Sequence, residues 1–84
     1  MKIVFADQAW DDFTYWMDHD RKIAKRIVRL IKEIERDPFV GIGKPEPLKH
    51  DMTGFWSRRI TDEHRLVYSV EKSQILIAQA RYHY

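Results

Sequence analysis

An α+β fold, with two N-terminal helices packed on one face of a small, mostly antiparallel sheet in the order β-α-α-β-β-β, is what this sequence predicts. Three observations lead there. Ile23, Ile27, Leu30, Ile31 and Ile34 recur at helical spacing and make a continuous apolar stripe. The second half holds β-favouring runs over residues 55–60, 64–70 and 74–84, separated by the short polar turns 61–63 and 71–73, the pattern of an antiparallel meander. Finally, even positions along those runs (Trp56, Ile60, Leu66, Tyr68, Val70, Leu76, Ala78, Ala80, Tyr82) are apolar and would form the face that the helices cover.

The elements follow in order. Residues 2–6 are short and rich in β-favouring side chains, and Asp7 is placed to cap a first helix with Gln8 and Ala9 in its first turn. Trp10, Phe13, Trp16 and Met17 recur along that helix as a core-facing stripe, with Asp11, Asp12 and Asp18 assigned to its wet side. Asp20 can cap the second helix, which Pro38 terminates. The remaining faces of that helix carry Arg21, Lys22, Lys25, Arg26, Arg29 and Lys32, a solvated surface or a phosphate-contacting one. Residues 39–54 have no period but contain three Gly and two Pro, which describes an ordered loop of functional length.

Composition narrows the function. A chain of 84 residues is expected to be one domain, 1–84, with a thin stability margin. Hydrophobic residues make up 44% and charged ones 33%, proportions of a folding chain. The net charge is only +2, yet the sequence pI is about 9.0 and the bases are unevenly placed, which suits a nucleic-acid partner. Without cysteine there is neither a disulfide framework nor a thiolate metal site. No apolar run approaches the roughly 20 residues needed to span a bilayer, and Asp7 comes too early for an apolar signal core, so the expected location is cytoplasmic and away from membranes. His19, His50, His64 and His83 lack close metal-ligand spacing, and the GIG of Gly41–Gly43 lacks the rest of a nucleotide fingerprint, so no metal or cofactor is expected.

The most unusual chemistry lies in residues 41–68. Glu46 stands between Pro45 and Pro47, which stiffen the loop and can aim its carboxylate. Around it come Lys44, Lys49, Arg58, Arg59 and Arg65, a cationic set suited to phosphate. Odd strand positions (Ser57, Arg59, Arg65, Gln79, Arg81, His83) form a polar, basic face that would be costly to bury. If the turns pair Arg59 with Arg65 and Arg65 with Arg81, His83 becomes a diagonal neighbour of Arg65. Glu46, Arg65 and His83 are then the parts needed for cleavage of RNA by its own 2′-hydroxyl: a base, a cation for the phosphoryl charge and an acid.

The segments KPEPLKH, GFWSRRI, EHRLVY and the terminal RYHY occur in that order, and with them the whole chain resembles the YoeB-like toxins of the RelE superfamily. That resemblance implies the RelE-like microbial RNase fold and a metal-independent mRNA endoribonuclease that acts in the ribosomal A site, inhibits translation and is neutralised by a cognate antitoxin. It gives Glu46 the role of base, His83 that of acid and Arg65 that of transition-state stabiliser, leaving a 2′,3′-cyclic phosphate, with Tyr84 supporting catalysis or orienting substrate. Charge and location assign Lys44, Lys49, Arg59 and Arg81 to RNA phosphates. The expected partners are the antitoxin, mRNA and ribosomal RNA, and family members can form homodimers. Two other readings use the same basic face: a non-catalytic RNA- or ribosome-binding module, and a protein-interaction domain receiving an acidic segment.

Overall fold

Described over Met1–His83, the computed structural model has the elements β1 (Lys2–Phe5), α1 (Asp7–His19), α2 (Arg21–Arg36), β2 (Glu46–Pro47), β3 (Trp56–Arg59), β4 (Arg65–Glu71) and β5 (Gln74–Gln79), with a 3-10 turn at His50–Met52. The sheet order is β1-β5-β4-β3-β2. β1 runs parallel to β5 at one edge, and the other pairings are antiparallel. The predicted α+β architecture is present, with β2, a two-residue edge strand inside the expected loop, as an addition.

α2 starts where the sequence said: the Asp20 carboxylate accepts the backbone N–H groups of Lys22 (3.1 Å) and Ile23 (3.4 Å). α1 does not. Ala6 is its N-cap, and Asp7 is the first helical residue, making no cap hydrogen bond but still favoured by the helix dipole. The buried line of α1 is Ala9, Asp12 and Trp16; Trp10 and Met17 lie about 100° round the helix from Ala9 and Trp16, and so are 52% and 40% exposed. Asp12, assigned to the wet side, is instead buried, because its carboxylate accepts the Ala80 N–H (3.0 Å) and the Gln8 amide (2.9 Å).

Ile27, Leu30, Ile34, Leu66, Tyr68, Ile75 and Ile77 are fully buried between the helices and the sheet. On β3 and β4 the core face is even, as predicted, and Arg59 pairs with Arg65. On β5 it switches. Val70, Ser69 and Tyr68 oppose Ile75, Leu76 and Ile77, but Val67 opposes Gln79, so Ala78 is an extra residue on β5, a β-bulge. Before the bulge the core side is therefore odd (Ile75, Ile77), which corrects the placing of Leu76 there, and after it even parity returns at Ala80.

β5 also stops at Gln79 rather than continuing to the terminus. Ala80–His83 form a turn in which Tyr82 takes φ +64° and is 58% exposed instead of docking into the core. The expected pairing of Arg65 with Arg81 is replaced by a single bond in which the Arg65 N–H donates to the Tyr82 carbonyl (3.0 Å).

Arg58, expected at the surface, is fully buried. Nε donates to the Tyr68 hydroxyl (3.1 Å), Nη1 to the Ile42 carbonyl (3.0 Å), and Nη2 to the carbonyls of Asp37 (2.7 Å) and Val40 (3.0 Å). The Tyr68 hydroxyl in turn donates to the Pro38 carbonyl (2.7 Å). One guanidinium thus pins the chain leaving α2. Gly43, at φ +84°, lets that chain pass close to Leu30 and the base of the Arg58 side chain, since a Cβ there would meet Leu30 Cδ2 at 3.0 Å and Arg58 Cβ at 3.1 Å.

Candidate active site

The site lies on the sheet face away from the α2 stripe. Glu46 is exposed on β2, held by the pairing of Glu46 with Ser57 and Pro47 with Trp56. The two prolines suit an edge strand, where a missing N–H costs no ladder bond. Glu46, Leu48 and Lys49 line a groove of about 330 Å³ together with Pro47, His50 and Met52. Carboxylate and ammonium therefore open onto the same solvent-filled space.

Arg65 begins β4 and is 8% exposed, although the basic face was expected to stay wet. Burial is tolerated because Nη1 donates to the carbonyls of Thr61 (2.7 Å), Asp62 (3.1 Å) and His64 (3.1 Å). Its bonds run to backbone oxygens of the preceding turn and not to the carboxylates of Asp62 or Glu63. Nε and Nη2 make no hydrogen bond among the described residues, and neither is sealed from solvent. They are donors available to a phosphoryl oxygen.

His83 is brought to Arg65 by that same turn. Its Nε2 stands 3.4 Å from the Asp62 carbonyl, the oxygen that also accepts from Arg65 Nη1. The tail carrying it is gripped from several sides. Asp12 accepts the Ala80 N–H, and the Trp16 indole donates to the Ala80 carbonyl (2.8 Å), so two residues one helical turn apart on α1 hold both ends of one residue's backbone. The Gln79 amide donates to the carbonyls of Arg81 (2.8 Å), Tyr82 (3.4 Å) and His83 (3.1 Å). His64 Nδ1 accepts the Tyr82 N–H (2.8 Å).

The other assigned residues divide. Arg59 is half-buried on β3 beside Arg65; its N–H donates to the Gly43 carbonyl (2.6 Å) and its carbonyl accepts from Arg26 Nη2 (3.2 Å), which joins α2 to the site strand. Lys44, at φ +51°, and Lys49 are exposed on either side of Glu46. Arg81 is drawn away from the cluster: its guanidinium lies 3.5 Å over the Tyr15 ring, with the Trp16 and Tyr82 rings at 5.7 and 4.7 Å. Tyr84 lies outside the described residues. Among the described residues no group of three His, Cys, Asp or Glu side chains is placed to hold a metal ion, and no helix is long and apolar enough to cross a membrane.

Sequence reasoning missed Asp12, Gln79 and His64 as holders of the tail. Nothing local marks them, because each acts on a turn that exists only where β5 gives out. The burial of Arg58 did leave a signal: position 58 is even, between Trp56 and Ile60, on the face assigned to the core.

Two helices on one face of a mixed five-stranded sheet make the α+β fold of the RelE-like kind. The family model for the YoeB-like toxin of bacterial type II toxin-antitoxin systems matches residues 5–84, and the chain belongs to that family. It is 57% identical to Toxin YoeB of Escherichia coli K12 over 84 residues, all of both chains. It superposes on the YoeB/ParE toxin from Agrobacterium tumefaciens with a TM-score of 0.98 at 49% identity, again covering both chains completely. YoeB of Staphylococcus aureus, solved as a dimer and in a YoeB-YefM complex, matches with TM-scores of 0.94 and 0.92 at 48% and 47% identity, over 100% of this chain and 98% of those.

Proposed function

We propose that this toxin is an endoribonuclease that cleaves mRNA in the ribosomal A site, without a metal ion, and so inhibits translation. The observation that supports it best is the meeting of Arg65 and His83 at the Asp62 carbonyl, on the sheet face that also carries Glu46. Glu46 and Arg65 sit two strand spacings apart, about 10 Å, and offset by two residues, about 7 Å, so about 12 Å separates their α-carbons. That gap suits a ribose and its phosphodiester held between two long side chains.

In this reading Glu46 takes the proton of the 2′-hydroxyl, and O2′ attacks phosphorus as the bond to O5′ breaks. Arg65 holds the charge on the phosphoryl oxygens, and His83 gives its proton to the departing O5′. The products are a 2′,3′-cyclic phosphate and a free 5′-hydroxyl. Lys44, Lys49 and Arg59 position flanking phosphates, and Tyr84 orients substrate. Arg81, stacked on Tyr15, contributes positive potential rather than a direct contact. The regulatory partner is an antitoxin, as the YoeB-YefM complex of the Staphylococcus aureus relative suggests, and the basic face suits an acidic or amphipathic segment of it; that relative's dimer supports a homodimer here.

The test is cleavage of an mRNA programmed into ribosomes by wild type, Glu46→Gln and His83→Gln. Each substitution should lower the single-turnover rate by about 10²- to 10⁴-fold with binding retained. Equal cutting by all three would leave a basic binding surface and favour a non-catalytic RNA-binding module.

A further inference from the structure

The proton donor of this site sits on a turn that the sheet does not support. Tyr82 is a bulky residue at φ +64°, a conformation that persists only where its surroundings enforce it. What surrounds its peptide groups is specific: the N–H goes to His64 Nδ1 at 2.8 Å, and the carbonyl takes the Arg65 N–H at 3.0 Å. His64 is itself fixed, half-buried just before β4, with its ring 4.8 Å from the Trp16 ring in an edge-on contact and 5.9 Å from the Tyr82 ring.

We propose that His64 is a positioning residue for His83, and that it works only as the neutral ring with its proton on Nε2. In that tautomer Nδ1 has the lone pair that accepts the Tyr82 N–H. Protonation at Nδ1 sets two donors face to face, which releases the turn and with it the placement of His83 beside Arg65. The titratable and charged groups on this side of the elements packed against the ring are Asp12, Tyr15 and His19 of α1, Arg65 of β4, Asp62 and Glu63 of the turn, and Arg81 with Tyr82 and His83 of the tail. Arg65, bonded to the His64 carbonyl, and Arg81, held on the Tyr15 and Trp16 rings, are fixed cations nearby, so a positive charge on His64 would add repulsion to the lost bond. The kinetic consequence rests on the endoribonuclease reading; the structural one does not.

Two variants separate the roles of the ring. His64→Phe keeps the packing against Trp16 without an acceptor, and His64→Asn offers an oxygen near the position of Nδ1 that does not titrate. The first measurement is hydrogen exchange of the Tyr82 amide, with α2 amides as the control for folding. In His64→Phe it should speed up about tenfold or more while α2 is unchanged, a local opening. In His64→Asn it should stay near wild type, because the amide oxygen replaces the lost acceptor. The second is ribosome-programmed cleavage: kcat should fall about 100-fold in His64→Phe with KM within about twofold, and His64→Asn should recover most of it. Unchanged Tyr82 exchange in His64→Phe overturns the anchor, and faster exchange with unchanged kcat overturns the positioning role. If wild type fails to cut while the exchange results hold, the nuclease reading fails and the anchor stands.

Discussion

Replacing Arg58 by Met is the sharpest probe of how the fold carries the Glu46 loop. The substitution keeps an aliphatic stem of similar length and removes bonds to the Tyr68 hydroxyl and to the carbonyls of Asp37, Val40 and Ile42. Hydrogen bonds from a charged donor contribute about 1.5–3 kcal/mol each, but the sum overstates the loss, because removing a buried guanidinium also removes its desolvation cost. Phe39 and Val40 are exposed, so water can reach part of the freed loop. A net loss of about 3 kcal/mol is expected. Against a total of about 4–13 kcal/mol for a chain this size, that is a large fraction. It corresponds to a fall in Tm of about 12–24 °C in a circular-dichroism melt. Arg59→Met is the control: the same residue type one position along, half-buried and without a side-chain hydrogen bond to the described residues, should cost less than about 1 kcal/mol. If Arg58→Met melts within about 5 °C of wild type, or no lower than Arg59→Met, the guanidinium does not hold this loop and the argument fails.

Two further outcomes follow from groups beside that staple and at the helix start. Burial pushes the Tyr68 phenol above its ordinary value of 10.0, with the Arg58 hydrogen bond and charge opposing. A raised folded value means the stabilising contribution is complete below about pH 10 and is lost as pH rises from there through the folded value. The stability gap between wild type and Tyr68→Phe, read from urea midpoints, should therefore narrow above pH 10, and a gap constant to pH 11 would contradict it. Asp20→Ala should cost about 1 kcal/mol by removing the cap of α2. Asp7→Ala should cost less, since only the helix dipole is lost, and equal melting temperatures for the two would overturn the capping assignment.

What could be read in the sequence was whatever a single period controls. The α2 stripe, the even face of β3 and β4 and the Arg59–Arg65 pairing all follow from fixed spacings and hold in the structure. The β5 segment defeated that logic because Ile75 to Ala78 are apolar at every position, leaving no alternation to show the bulge or which parity faces in. Asp12 and Arg58 were misplaced for a related reason. A charged side chain can be buried when backbone partners satisfy it, and those partners come from residues 80 and 37–42, distant in the chain. Glu46 stood out through its flanking prolines, and Arg65 and His83 through the cationic pattern and the terminal RYHY. The conformation that joins them required Tyr82 to leave the strand, which no propensity announces.

That departure ties the site to the core more tightly than a continuous strand would. Along a regular β5, His83 would take its position from ladder bonds alone. Here Trp16, buried in the core, donates to the Ala80 carbonyl, and Asp12 beside it accepts the Ala80 N–H, so the tail leaves the sheet from a peptide fixed by α1. From that point Gln79, His64 and the Arg65 backbone direct the next three residues. Arg58 does the same for the opposite arm, linking the end of α2 to the loop that presents Glu46. The two ends of the candidate site are therefore set by hydrogen bonds from buried Arg58, Asp12 and Trp16 and half-buried Gln79 and His64, and not by exposed ion pairs; among the described residues the ion pair is Arg36–Glu33, remote from it. Hydrogen bonds between such groups are little screened by salt, so the geometry of the candidate site should survive ionic strengths that would weaken the RNA binding proposed for it.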